Sequence, residues 1–115
     1  MESLEGIWQP LYAELDGEEA PTEVLQQTEV ELCDGGYFVR FGGVTSDQGT
    51  YQNEEGNLTL LGTNGPNAGR TIPCRFKFIK DTLMICYGLD GTRPTEFKTR
   101  LDAHRYLVTY RRKLE

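Results

Sequence analysis

Apolar and polar residues alternate along most of this chain in short runs separated by turn signals. Ile7 to Glu14 is the first run, closed by Asp16-Gly17, and Pro10 inside it predicts a bend or an edge position. Ala20 to Gln27 is the one helix candidate, with Pro21 suited to its first turn. Between Thr28 and Cys33, Val30 and Leu32 face one side and Glu29 and Glu31 the other. Asp34-Gly35-Gly36 is a hairpin signal, after which Tyr37, Val39 and Phe41 share the inward face. Gly42-Gly43 breaks the pattern, and Gln48 to Gln52 is a short strand around Tyr51. Leu58 to Thr63 follows, then a loop over Asn64 to Gly69. Arg70 to Ile79 is predicted as the longest strand, with Ile72, Cys74, Phe76 and Phe78 on one face and Arg75 and Lys77 on the other. Thr82 to Tyr87 places Leu83, Ile85 and Tyr87 together, residues 88–103 form a longer loop, and Tyr106 to Arg112 is the last strand.

About eight short strands joined by tight turns predict an all-β fold. Strict hairpin order favours a closed antiparallel up-and-down barrel over a sandwich, and closure removes the edges that invite aggregation. The 115 residues suffice for one domain with one core.

The two ends of the chain sharpen this picture. Gly6-Ile7-Trp8 matches the Gly-x-Trp signature that opens the first strand of lipocalins, and the last strand ends in Arg111-Arg112-Lys113. Leu4 to Trp8, Asp16-Gly17, Gly49-Thr50-Tyr51, Gly65 to Gly69, Asp81 to Leu83, Ile85 to Tyr87 and Arg93-Pro94-Thr95-Glu96-Phe97 resemble, in order, segments of an uncharacterised small lipocalin-like domain family best known from planctomycete bacteria. The resemblance implies a lipocalin-like barrel in which a basic residue near the end of the last strand covers Trp8. Arg111 and Arg112 both qualify. Alternation with Val108 and Tyr110 favours Arg112, whose guanidinium would gain about 0.5–2 kcal/mol over the indole face. A core tryptophan with unrelated, solvated arginines is the alternative. The resemblance implies no activity, since fold alone does not supply one.

Charge changes the picture of partners. The net charge of −6 argues against a nucleic-acid partner, which requires clustered Lys and Arg. Residues 1–57 carry 13 acids and one base, Arg40, whereas residues 58–115 carry 5 acids and 11 bases. Mutual attraction between early and late strands is the first explanation, placing Glu2 or Glu5 near Arg111, Arg112 or Lys113. A basic site for an anionic ligand is the second.

Chemistry is sparse. Ser3 and Ser46 fall in terminal or loop positions, and the single histidine, His104, precedes the last strand as a surface residue, so no Ser–His–carboxylate arrangement is suggested. One histidine leaves no histidine-based metal site, and no cofactor is expected. Cys33, Cys74 and Cys86 are odd in number and lack CxxC spacing, which fits reduced thiols in a cytoplasm rather than a disulfide framework. No leader pattern and no apolar run of membrane-spanning length is present.

A non-enzymatic protein holding a small apolar or amphiphilic molecule in the barrel is therefore expected. Tyr37, Phe76, Phe78, Tyr87, Tyr106 and Tyr110 are the candidate lining, with Arg93 and Glu96 at the mouth to orient a polar end. Arg93 and Glu96 equally suit pairing with each other across Pro94. The alternative function is a protein-interaction module with a solid core and no ligand.

Overall fold

In a computed structural model, residues 3–99 and 104–113 are described. Strand β1 (Gly6–Leu15) is followed by a two-residue strand β2 (Glu18–Glu19) and helix α1 (Thr22–Gln27). Then come β3 (Thr28–Cys33), β4 (Gly36–Phe41), β5 (Val44–Glu54) and β6 (Asn57–Asn64). Strands β7 (Thr71–Ile79), β8 (Thr82–Gly88) and β9 (Arg105–Arg112) complete the order. Each strand from β3 onward pairs antiparallel with its successor, β1 pairs with β3, and β9 returns to β1. Eight strands thus close an up-and-down lipocalin-like barrel, with β2 appended to the end of β1. Among the described residues no helix is long and apolar enough to cross a membrane.

The turns follow from their residues. Asp34 and Gly35 both take positive φ, at 50° and 80°, as a two-residue hairpin turn with the twist of its strands requires. Pro10 does not mark an edge. It faces inward and is buried, and the chain absorbs it with a bulge at Leu11, so that Trp8, Pro10 and Ala13 all point inward although the count changes parity.

The first and last strands pair as expected, with Trp8 opposite Arg112. The Arg112 guanidinium lies 4.2 Å from the indole centroid, which resolves the choice between the two arginines. Its Nη1 and Nη2 donate to the carbonyls of Glu5, at 2.5 Å, and Ser3, at 2.9 Å. Gly6 makes this possible, because a Cβ at its φ of +136° would meet Arg112 Nη1 at 2.4 Å. The glycine of the Gly-x-Trp signature is thus a seat for the arginine. Trp8 itself is 2% exposed, donates from Nε1 to the Leu4 carbonyl at 2.9 Å, and packs near Phe78.

Several expectations are corrected. The longest strand is β5, with 11 residues, because pairing extends back through Val44 to Asp47. Phe41 is 46% exposed, at the tip of the β4–β5 hairpin beyond the reach of the core. Glu5 does lie beside Arg112 as expected, its carbonyl accepting from the guanidinium, while its carboxylate turns elsewhere. That carboxylate accepts from the Asp34 N–H, at 2.8 Å, and the Tyr51 hydroxyl, at 3.3 Å. Glu2 lies outside the described residues. Nor does the charge asymmetry resolve into pairs between the halves. Arg40 binds Glu29 and Glu31 within the first half, Arg105 binds Asp90 within the second, and Lys113 with Glu29 joins the two. Most of the asymmetry is therefore solvated surface charge, which contributes little.

The long segment after β8 folds back over the outside of the barrel. Pro94 is fully buried, Lys77 lies over the Phe97 ring at 4.4 Å, and Cys86 and Leu107 are buried on the outer face.

Candidate functional site

The end of the barrel opposite Trp8 opens into a cavity of about 270 Å3. Its wall is aliphatic, with Val30 and Leu32 from β3, Val39 from β4, Leu58 and Leu60 from β6, and Ile72 from β7, as strand alternation directs. Four of the expected tyrosines, Tyr37, Tyr87, Tyr106 and Tyr110, line it as well. Helix α1 packs beside this end against β1 and β3, with Leu25 set against the core.

The polar groups of the cavity form two sets. In the first, the hydroxyls of Tyr87 and Tyr110 share a hydrogen bond of 2.6 Å, and Tyr106 stacks beside Tyr87 with ring centroids 5.4 Å apart. Burial pushes all three phenols above their ordinary value. They are neutral donors and acceptors at physiological pH.

The second set centres on Asp47, which is 9% exposed. Its Oδ2 accepts from Asn67 Nδ2 at 2.8 Å and makes a long contact of 3.5 Å with the Tyr37 hydroxyl. Burial, then the Asp47 charge, pushes the Tyr37 phenol up to about 12. Asp47 Oδ1 is buried and has no hydrogen-bond partner.

The local sequence explains this placement. Register shifts flank Asp47 on both sides, one between Val39 and Arg40 opposite Ser46, the other between Gln48 and Gly49 opposite Thr63. Such bulges re-aim side chains, and here they turn a polar Thr-Ser-Asp-Gln segment so that its carboxylate faces the interior. Gly49 leaves room for Tyr37, since a Cβ there would lie 2.6 Å from the Tyr37 ring. The ring therefore lies across β5 and carries its hydroxyl toward Asp47. Asn67 arrives from the β6–β7 loop, whose backbone is held by Gly69 N–H on the Gly62 carbonyl at 2.9 Å. Arg70 fixes the amide's orientation by donating from Nη1 to Asn67 Oδ1 at 3.1 Å, while its Nη2 donates to the Leu89 carbonyl at 2.6 Å.

The remaining expected site residues lie elsewhere. Phe76 and Phe78 pack edge to face, 6.1 Å apart, at the closed end, where they border a separate groove with Leu4 and Tyr51. Arg93 is not at the mouth. Pro73 offers β6 no N–H, and beside it Arg93 Nη1 donates to the carbonyls of Leu58, at 3.1 Å, and Cys74, at 2.6 Å, while Nη2 donates to Thr59 Oγ1 at 2.8 Å. It pins the outer loop to the β6–β7 ladder. Glu96 is exposed, and no ion pair joins it to Arg93. Among the described residues no Lys, Arg or His lines this cavity.

Sequence reasoning missed Asp47 and Asn67. The signal for Asp47 was its period-2 relation to Gly49 and Tyr51, hidden by the polar residues around it. Asn67 gave no signal, since loop closure is tertiary.

Among the described residues no group of three or more His, Cys, Asp or Glu could hold a metal ion. His104 is exposed, as expected. Cys74 is fully buried, and burial raises its thiol to about 12, so little thiolate forms at neutral pH. Compared with known proteins, the chain matches no family model, no curated protein and no solved structure.

Proposed function

We propose that this chain is a non-enzymatic carrier that holds one small, mainly apolar molecule inside its barrel, and that it belongs to the lipocalin-like family its motifs resemble. The observation that carries the reading is the cavity of about 270 Å3, walled by aliphatic side chains and furnished with a few convergent polar groups. That size selects the ligand class. An apolar protein cavity of about 150 Å3 takes benzene, and drug-sized ligands need roughly 300 Å3 or more. The occupant is a one- or two-ring molecule or its aliphatic equivalent, not a long-chain lipid.

Catalysis is disfavoured by the side chains available. Beside the Asp47 carboxylate the cavity holds phenols pushed above their ordinary value, and among the described residues that line it there is no histidine, serine or thiol. A protein-interaction module with a filled interior fits less well, because the interior is hollow. The exposed apolar residues include Leu11 and Tyr12 at the β1 bulge and Phe41 with Val44, which pair at the tip of the β4–β5 hairpin. The three free thiols support a reducing compartment, the cytoplasm.

Native mass spectrometry of the full chain purified from its own host tests the reading. A reproducible adduct of small-molecule mass, lost on unfolding, supports it. A bare mass in every preparation, together with no uptake of small aromatic probes, removes it.

A further inference from the structure

Charge decides which small molecules suit this cavity. Asp47 is the one formally charged side chain in the lining, and no cation faces it from any described strand or loop of the wall. The nearest guanidinium of its network, Arg70, is separated from it by the Asn67 amide and is itself engaged by Asn67 Oδ1 and the Leu89 carbonyl. A carboxylate offers roughly four acceptor positions. Asp47 uses Oδ2 alone, once at 2.8 Å and once at the long distance of 3.5 Å, and its buried Oδ1 accepts from nothing. A buried carboxylate so poorly matched carries a desolvation cost that a cationic partner would relieve. Native proteins leave few buried polar atoms unsatisfied, and those that remain call for an explanation.

Asp47 belongs to the lining of two adjoining openings, the aliphatic cavity and a small open cleft of about 140 Å3 formed with Ser46, Asn64 and Gly65. A metal ion is a poor match, since calcium takes about six to eight oxygens and Asp47 has one amide and one phenol as neighbours. An organic cation needs one carboxylate and an apolar wall.

We propose that the barrel is selective for small apolar amines, which bind with the hydrocarbon among Val39, Leu60 and Ile72 and the ammonium on Asp47, and that it discriminates against carboxylates of the same shape. This rests on the ligand-binding reading above and adds the ligand's charge to it. The Tyr87–Tyr110 pair, as neutral donors and acceptors, supplies no compensating positive charge for an acid.

The test uses three isosteric probes, naphthylmethylamine, naphthylmethanol and naphthoate, titrated calorimetrically into the full chain at neutral pH. A charge-assisted hydrogen bond predicts that the amine binds roughly ten- to hundred-fold more tightly than the alcohol. Naphthoate is expected to bind weakest. Asp47→Asn, of the same shape, is expected to abolish the gap between amine and alcohol. Tyr37→Phe should keep the gap, because Oδ2 retains Asn67. The comparison on the unmodified protein stands whether or not a variant folds. Naphthoate binding as tightly as the amine, or a gap that survives Asp47→Asn, overturns the assignment of charge and leaves the carrier reading intact. Failure of all three probes to bind removes both.

Discussion

Replacing Trp8 by alanine tests the closure of the barrel quantitatively. The indole is 2% exposed, and a buried aromatic side chain removes about 150–250 Å2 from water. At about 25 cal/mol per Å2 this corresponds to about 4–6 kcal/mol, an upper bound because the unfolded chain already shields part of that surface. Truncations of core aromatics cost about 3–5 kcal/mol, and that is the loss expected for Trp8→Ala in urea denaturation of the full chain. The contact with Arg112 can be isolated. Trp8→Phe removes the Nε1 donor to Leu4 and weakens the cation–π contact, while Arg112→Met removes the guanidinium and its bonds to Glu5 and Ser3. A double-mutant cycle between these two should give a favourable coupling smaller than the roughly 0.5–1 kcal/mol of the whole contact, because the phenyl ring keeps part of the attraction. A cost below about 1 kcal/mol for Trp8→Ala, with an unchanged denaturant slope, would refute the idea that the indole seals the barrel.

Three further outcomes follow from the same geometry. Tyr110→Phe should cost about 1–3 kcal/mol by leaving the Tyr87 hydroxyl without its partner, whereas the double change Tyr87→Phe and Tyr110→Phe should cost much less, both read by urea unfolding. The buried phenols make stability fall at alkaline pH. Tyr37 is raised to about 12 and Tyr110 is raised too, so above about pH 10 the unfolded chain loses protons that the folded chain retains. Their contribution is therefore complete below pH 10 and is lost as pH rises through the folded values, which parallel titrations of phenolate absorbance and unfolding midpoint would show; a midpoint flat to pH 12 would contradict it. Arg93→Ala should destabilise the chain by about 1.5–3 kcal/mol, the scale for hydrogen bonds to a charged donor, yet leave probe affinity unchanged, since Arg93 clamps the outer loop and does not touch the cavity.

Much of the barrel was legible because period-2 alternation survives wherever strands are regular. Val30 with Leu32, Leu58 with Leu60, and Leu83 with Ile85 are all buried as that pattern requires. The Gly-x-Trp segment and the terminal arginine found each other for a reason the structure makes physical, the absence of a Cβ at Gly6. What stayed hidden has physical causes as well. The bulges around Asp47 break the alternation on which strand recognition depends, so the start of β5 reads as polar loop. Cys86 and Leu107 point outward and would be read as solvated, but the returning segment with Pro94 covers them. Phe76 and Phe78 have the inward parity of a cavity wall and still belong to the closed end, because alternation fixes a residue's face and not its height along the barrel. Asn67 reaches Asp47 through a loop, where periodicity has no meaning.

The most direct measurement is calorimetric titration of naphthylmethanol, a neutral probe, into the unmodified chain and into Ile72→Phe, which adds bulk to the cavity wall without adding charge. One-to-one binding to the first, and its loss in a variant whose circular dichroism and cooperative urea transition are retained, is the predicted result. Binding that is undiminished by the added ring would place the probe outside the barrel and contradict the account.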